Sequence, residues 1–166
     1  MITIKEASAE HIINIQALAK VAWPVAFAEI LSPKQIGYMM EMMYSDEALR
    51  EQMEAKGHRF FIAMEGDEPV GYMSIEHNCE DSGRTKIHKA YILPERQRAG
   101  IGGRLFDRAC EEARIRGDGA VYLNVNKYNK RAIAFYNKGG FDLVKEEVID
   151  IGNGYVMDDY VFEKKL

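Results

Sequence analysis

The chain has few cysteines and prolines, a single tryptophan, and no long apolar run. Its two cysteines, Cys79 and Cys110, cannot build a disulfide framework and stand at no metal-ligand spacing, so no metal is expected. Cys110 falls within a helical pattern and reads as a small buried apolar group. No stretch approaches the ~20 apolar residues that cross a bilayer. The opening MITIKEASAEH lacks the basic flank and apolar centre of a signal peptide. A cytoplasmic location with no membrane partner is therefore expected. Basic charge is also short: 22 Lys and Arg against 26 Asp and Glu leave a net charge of −4. That balance argues against nucleic acid as a partner, because phosphate backbones reward basic surfaces, and it favours a cationic or neutral substrate. Repeats, low-complexity tracts and linkers are missing too. One domain spanning 1–166 is expected.

What is present is a chain whose hydrophobic period changes several times. Residues 2–6 alternate as a strand does. From Ser8 the period turns helical through Ile12, Ile15, Leu18, Ala19 and Ala22, and Pro24 is expected to end or kink that helix. Ser32-Pro33 opens a second helix by the N-cap and N1-proline rule, and Asp46 begins a third, short one ending near Gly57. Residues 59–65 and 70–78 read as a hairpin, and 86–93 as a strand stopped by Pro94. A helix with an Ile101, Leu105, Ala109, Ala113 stripe follows and stops at Gly117. Then come a buried strand at 120–125, a short helix over 129–140, and two late strands joined around GNG. The order is α/β, with a strand, a glycine loop, a helix and a strand at its centre.

The glycine loop, QRAGIGGRL, puts three glycines at a helix start, where each costs about 1 kcal/mol relative to alanine. Helix N-termini leave unpaired amides and a partial positive charge, which together attract anions. Glycine lets a bulky phosphate approach the backbone. Spacing alone leaves two readings open: a pyrophosphate cradle built from the amides of Arg98, Ala99, Gly100, Ile101, Gly102 and Gly103, or a turn with no ligand. A P-loop is excluded because no Lys-Ser or Lys-Thr follows. A dinucleotide fingerprint is excluded because Leu105 stands where its third glycine belongs.

Here the residues carry a resemblance. PERQRAGIGGRLF is similar to the acetyl-CoA signature of the GCN5-related N-acetyltransferase (GNAT) superfamily, R/Q-x-x-G-x-G/A, read as Gln97 to Gly102. Upstream, AYILP resembles the family's strand before the loop. Downstream, LNVNKYNKRAIAFYNKGGF resembles its strand, asparagine, helix and closing Gly-Phe. The core resemblance covers about residues 59–163. The N-terminal helices more loosely resemble a bacterial subgroup that includes polyamine acetyltransferases.

The resemblance implies a GNAT fold: a mixed, mainly antiparallel central sheet with a splayed parallel strand pair and helices on both faces. It implies acetyl-CoA as co-substrate, its arm pairing with the backbone of Ala90, Tyr91 and Ile92, its pyrophosphate on residues 98–103, and Asn129 against the arm. Tyr136 matches the family's general acid. A phenol with pKa near ~10 is protonated at neutral pH and can reprotonate a departing thiolate. The reaction implied is direct acetyl transfer to a primary amine of a small molecule, polyamine or amino-acid-like, without a covalent intermediate. Acetylation of a protein N-terminus or lysine, and a non-catalytic acyl-CoA-binding module, are the alternatives. A homodimer is left open.

The sequence departs from one family pattern. Asn124 stands where some members carry a glutamate, and an amide is no base. By alternation, Lys86, His88 and Ala90 share one face of the preceding strand, which makes His88 the candidate base. Glu76, His77, Asp158 and Asp159 stand in reserve, and proton removal through water stays open. Asp158 and Asp159, with Glu29, Glu41 or Glu76, would attract a cationic amine. Adjacent strand residues face opposite ways, so only one of the aspartate pair is expected to face inward.

Overall fold

The computed structural model describes residues 1–166. Seven strands form one sheet in the order β1-β2-β3-β4-β5-β7-β6. They are β1 (Ile2–Ala7), β2 (Arg59–Glu65), β3 (Glu68–Glu76), β4 (Arg84–Ile92), β5 (Ala120–Asn126), β6 (Asp142–Gly152) and β7 (Tyr155–Lys165). All neighbours run antiparallel except β4 and β5, which are parallel. Three helices, α1 (Ile12–Phe27), α2 (Pro33–Tyr44) and α3 (Asp46–Glu54), cover one face. The other face carries α4 (Ile101–Arg116) and α5 (Lys130–Lys138). The expected single parallel pair and two-sided helical cover are both present. No helix is long and apolar enough to cross a membrane.

Local signals explain most element ends. Ser32 and Ser45 cap α2 and α3 by accepting from the amides of Gln35 and Ala48. Gly117, left-handed at φ +82°, closes α4. Pro24 does not end α1, which runs on to Phe27. Trp23 and Phe27 are both buried on either side of it, and packing of those rings outweighs the lost backbone bond. Lys20, whose carbonyl loses that bond, is exposed and its backbone can reach water.

The two cores meet at β4. On the α4 side lie Met73, Ile75, Ile87, Leu105, Leu123 and Phe162, with Ala90 and Ile92 packed against them. On the α1 side lie Trp23, Phe27, Tyr44, Phe60, Ile62 and Tyr72, with Tyr91 packed against them. A polar chain runs through this second core. The Trp23 indole N–H donates to the Tyr44 hydroxyl at 3.0 Å, and that hydroxyl shares a 2.7 Å bond with the Tyr72 hydroxyl. It ties α1 and α2 to β3, directly beneath the Tyr91 ring, 5.8 Å from that of Tyr72.

Tyr44→Phe leaves the buried Trp23 N–H without its acceptor and the Tyr72 hydroxyl without its partner. Each buried orphan costs about 1–3 kcal/mol, so a thermal melt is expected to show Tm lower by roughly 2–4 °C per kcal/mol. An unchanged Tm would show that the chain contributes no stability.

Candidate active site

The site begins where a ladder stops. The parallel register runs Arg84 with Ala120, Thr85 with Val121, Lys86 with Tyr122 and Ile87 with Leu123, and goes no further. Beyond it β4 stays paired to β3 as far as Ile92, and β5 stays paired to β7 as far as Asn126. The two strands therefore part over residues 88–92 and 124–126. The Leu93 amide donates to Val70 on β3. By alternation Tyr91 also turns its backbone groups to β3, and Ala90 and Ile92 turn theirs towards the gap.

A bulge sits at the mouth of this gap. Ser74 faces Lys89 and Ile75 faces Ile87, so His88 is the extra residue. The shift corrects the expectation that Lys86, His88 and Ala90 share a face. Ala90 packs with Ile87 in the α4-side core, whereas Lys89 lies on the opposite side against Tyr44 and Phe60. Lys89 is almost fully buried, with its Nζ donating to Gln52 Oε1 at 2.7 Å, and burial pushes it down to about 7.

Beside the gap, the loop from Gln97 to Gly100 bends twice, with Arg98 at φ +70° and Gly100 at φ +78°. The amides of residues 98–103 donate to no backbone carbonyl, and the first intrahelical bond is Arg104 N–H to Gly100 at 3.2 Å. The three glycines do different work. Gly100 supplies a left-handed conformation, and a Cβ at Gly103 would meet open space. Gly102 is buried, and a Cβ there would stand 3.1 Å from the Phe135 ring and 3.3 Å from Ile92 Cδ1. It is a packing glycine that lets α4 close on α5 and β4. Arg104 turns away to the carbonyl of Ile2.

Asn129 caps α5, its side chain accepting from the Ala132 amide at 3.2 Å. Two turns on from the cap, Tyr136 packs among Phe106, Phe141 and Phe162. Burial pushes its phenol well above the ordinary range, so it stays protonated through neutral pH. On the other side of the gap, Asn124 Nδ2 donates to Glu147 Oε1 at 2.6 Å and to Asp159 Oδ2 at 3.3 Å. Asp159 is buried, its Oδ1 has no partner, and burial pushes its carboxyl up. Asp158 faces outward to Lys127 at 3.2 Å, so one of the aspartate pair points inward, as alternation requires. Asp159 is in register with Asn126 at the parted end of β5, and Tyr136 packs on the α4-side core together with Ile92.

The remaining candidates do not join them. Burial and the charge of neighbouring His58 push His88 down to about 2, and its Nε2 lies 2.9 Å from Glu76 Oε1. His77 is held by Arg59 and Thr85 at the closed end of the parallel pair. Glu29 and Glu41 are exposed on the helical side. The orientation of Asp159 had only an alternation argument in sequence, which could not choose between it and Asp158.

A family model, the acetyltransferase (GNAT) family, matches residues 23–141. The chain belongs to the GNAT family. It is thus an N-acetyltransferase acting on an amine acceptor, with acetyl-CoA as co-substrate. An uncharacterized N-acetyltransferase of Lactobacillus delbrueckii subsp. lactis is 23% identical over 170 residues, covering 99% of this chain and 98% of its own. The crystal structure of the PaiA N-acetyltransferase of Thermoplasma acidophilum, in complex with coenzyme A, superposes with a TM-score of 0.82 at 23% identity, covering 100% and 99%. The ribosomal-protein-S18-alanine N-acetyltransferase of Escherichia coli superposes with a TM-score of 0.73 at 15% identity, covering 99% and 94%. At these identities the solved structures establish the GNAT fold.

The glycines separate in a two-variant experiment. Gly102→Ala overpacks the Phe135 contact and is expected to cost about 1–3 kcal/mol of stability. Gly103→Leu is expected to keep the wild-type Tm and to weaken coenzyme A roughly 10–100-fold, the worth of one charge-assisted bond, by calorimetric titration. Loss of Tm in Gly103→Leu, or unchanged affinity, would contradict this division.

Proposed function

We propose that this GNAT enzyme moves acetyl from acetyl-CoA to the primary amine of a small molecule, polyamine or amino-acid-like, by direct attack. One observation carries the reading. Asp159, in register with Asn126 at the parted end of β5, has a buried carboxylate oxygen without a partner, and the protonated Tyr136 packs on the same core as Ile92 at the parted end of β4. The amides of residues 98–103 would receive the pyrophosphate at the start of α4. Ala90 and Ile92 would pair with the pantetheine arm as a neighbouring strand would. The Ile92 amide would polarise the thioester carbonyl, and Asn129 would reach the arm from the α5 cap.

A protonated alkylamine has no lone pair to attack with, so a group must first take its proton. Asp159 replaces His88 in that role. Burial raises its pKa, which makes it a stronger base than an ordinary aspartate. Asn124 holds Asp159 and Glu147 together, and the acidic pair would draw a cationic acceptor. The amine nitrogen then bonds to the carbonyl carbon, the carbon–sulfur bond breaks, Tyr136 gives its phenolic proton to the leaving thiolate, and the second proton shed by the new amide nitrogen returns to the phenolate.

Tyr136→Phe is expected to lower turnover by at least ~10²-fold with coenzyme A affinity unchanged, measured by thiol release on an amine panel and by titration. Equal loss of both would remove the acid role.

Asp159→Asn is expected to abolish the acid limb of the kcat/KM profile, which in the wild type lies above the ordinary aspartate range. The stability sign is opposite. A carboxyl whose folded pKa is raised destabilises the fold once ionised, so the variant gains Tm at neutral pH. That gain fades as pH falls below the aspartate's pKa. A retained acid limb would exclude Asp159 as base.

A further inference from the structure

A second constellation lies at the bulge on the mouth of the acyl-transfer gap and is used by no step above. His58, just before β2, Glu76, at the end of β3, and His88, in the β4 bulge, converge on one point. The imidazoles stack with centroids 4.1 Å apart and planes 11° apart. Both direct Nε2 at the same carboxylate oxygen, Glu76 Oε1, from 3.2 Å and 2.9 Å. All three donor atoms lie within 4.8 Å of one another.

We propose that His58, Glu76 and His88 bind a divalent transition ion of the zinc class through Nε2, Oε1 and Nε2, with a further position open to solvent. A tetrahedral ion bonded at ~2.0–2.1 Å to nitrogen and oxygen holds its ligands about 3.4 Å apart. The two His–Glu separations are already within a few tenths of an ångström of that. Two imidazoles and one carboxylate suit zinc, cobalt or nickel, whereas magnesium and calcium require oxygen donors throughout.

The donors are preassembled by backbone, which an accidental cluster of surface groups is not. The His58 amide donates to Gln52 at 2.9 Å, and the next residue, Arg59, is in register with Ile75. Glu76 is in register with Lys86, and the bulge sets His88 beside it. The His58 side chain is only 9% exposed, so its ring cannot swing away to solvent. Lys56, Lys86 and Lys89 are close enough for their charges to be felt there. They oppose a cation, so the ion is expected to bind more weakly than in a structural zinc site. An ion here links β2, β3 and β4 at the bulge.

The test uses the full chain, stripped with chelator and dialysed. Titration with ZnCl2 is expected to show one ion per chain and a rise in Tm, with no response to MgCl2. Co2+ is expected to give the intense visible absorption of a four- or five-coordinate ion. His58→Asn, Glu76→Gln and His88→Asn are each expected to weaken Zn2+ at least ~10-fold while their metal-free far-UV circular dichroism matches the wild type. Stoichiometric binding that is unaffected by all three variants would overturn the proposal. So would its absence in the wild type. Should a variant fail to fold, the wild-type Co2+ spectrum decides alone, and weak six-coordinate bands would overturn the site. None of these readouts depends on acetyl transfer.

Discussion

Everything at the site depends on a ladder that stops. β4 and β5 share four paired positions and then separate, each held by its outer neighbour. Backbone groups left unpaired inside a sheet are costly. The outward-turned groups of Ala90 and Ile92 are therefore stable only where water or an added strand can reach them. The gap also joins the two faces of the sheet. It puts the helix start and Tyr136 on one side and Asp159, with Asn124 and Glu147, on the other.

The bulge at His88 serves that separation. One extra residue in β4 breaks the alternation carried by the rest of the strand. Ala90 and Ile92 are returned to the α4 side, Tyr91 to the aromatic floor, and His88 to the end of β3. The aromatic floor is rigid because its polar atoms are satisfied in series, from Trp23 through Tyr44 to Tyr72. A fixed floor matters for a reaction whose partners must meet within a few tenths of an ångström.

Much of this was legible in the chain. Changes of hydrophobic period located every strand and helix within a few residues, because burial on one face writes a period of two or 3.6 into the sequence. The Gln97 to Gly102 loop and the Asn129 to Tyr136 helix were legible for a different reason. A left-handed turn before a helix and an N-cap need particular residue types at fixed spacing. Pro24 does not stop α1, since the rule for proline is local and the Trp23 and Phe27 packing that carries the helix past it is not. Alternation put Lys86, His88 and Ala90 on one face, and that rule holds only while the ladder is regular. Gly102 resembled clearance for a ligand until Phe135 and Ile92 were seen against it.

The sequence by itself determined the α/β order, the glycine loop that opens α4 and the asparagine that caps α5, because each is a local pattern whose physics acts over a few residues. Tertiary structure alone decided where β4 leaves β5, which aspartate turns inward, and that His58, Glu76 and His88 share one oxygen. Those outcomes depend on register between strands distant in sequence. A shift of one residue exchanges one face of a strand for the other, and no local pattern records it.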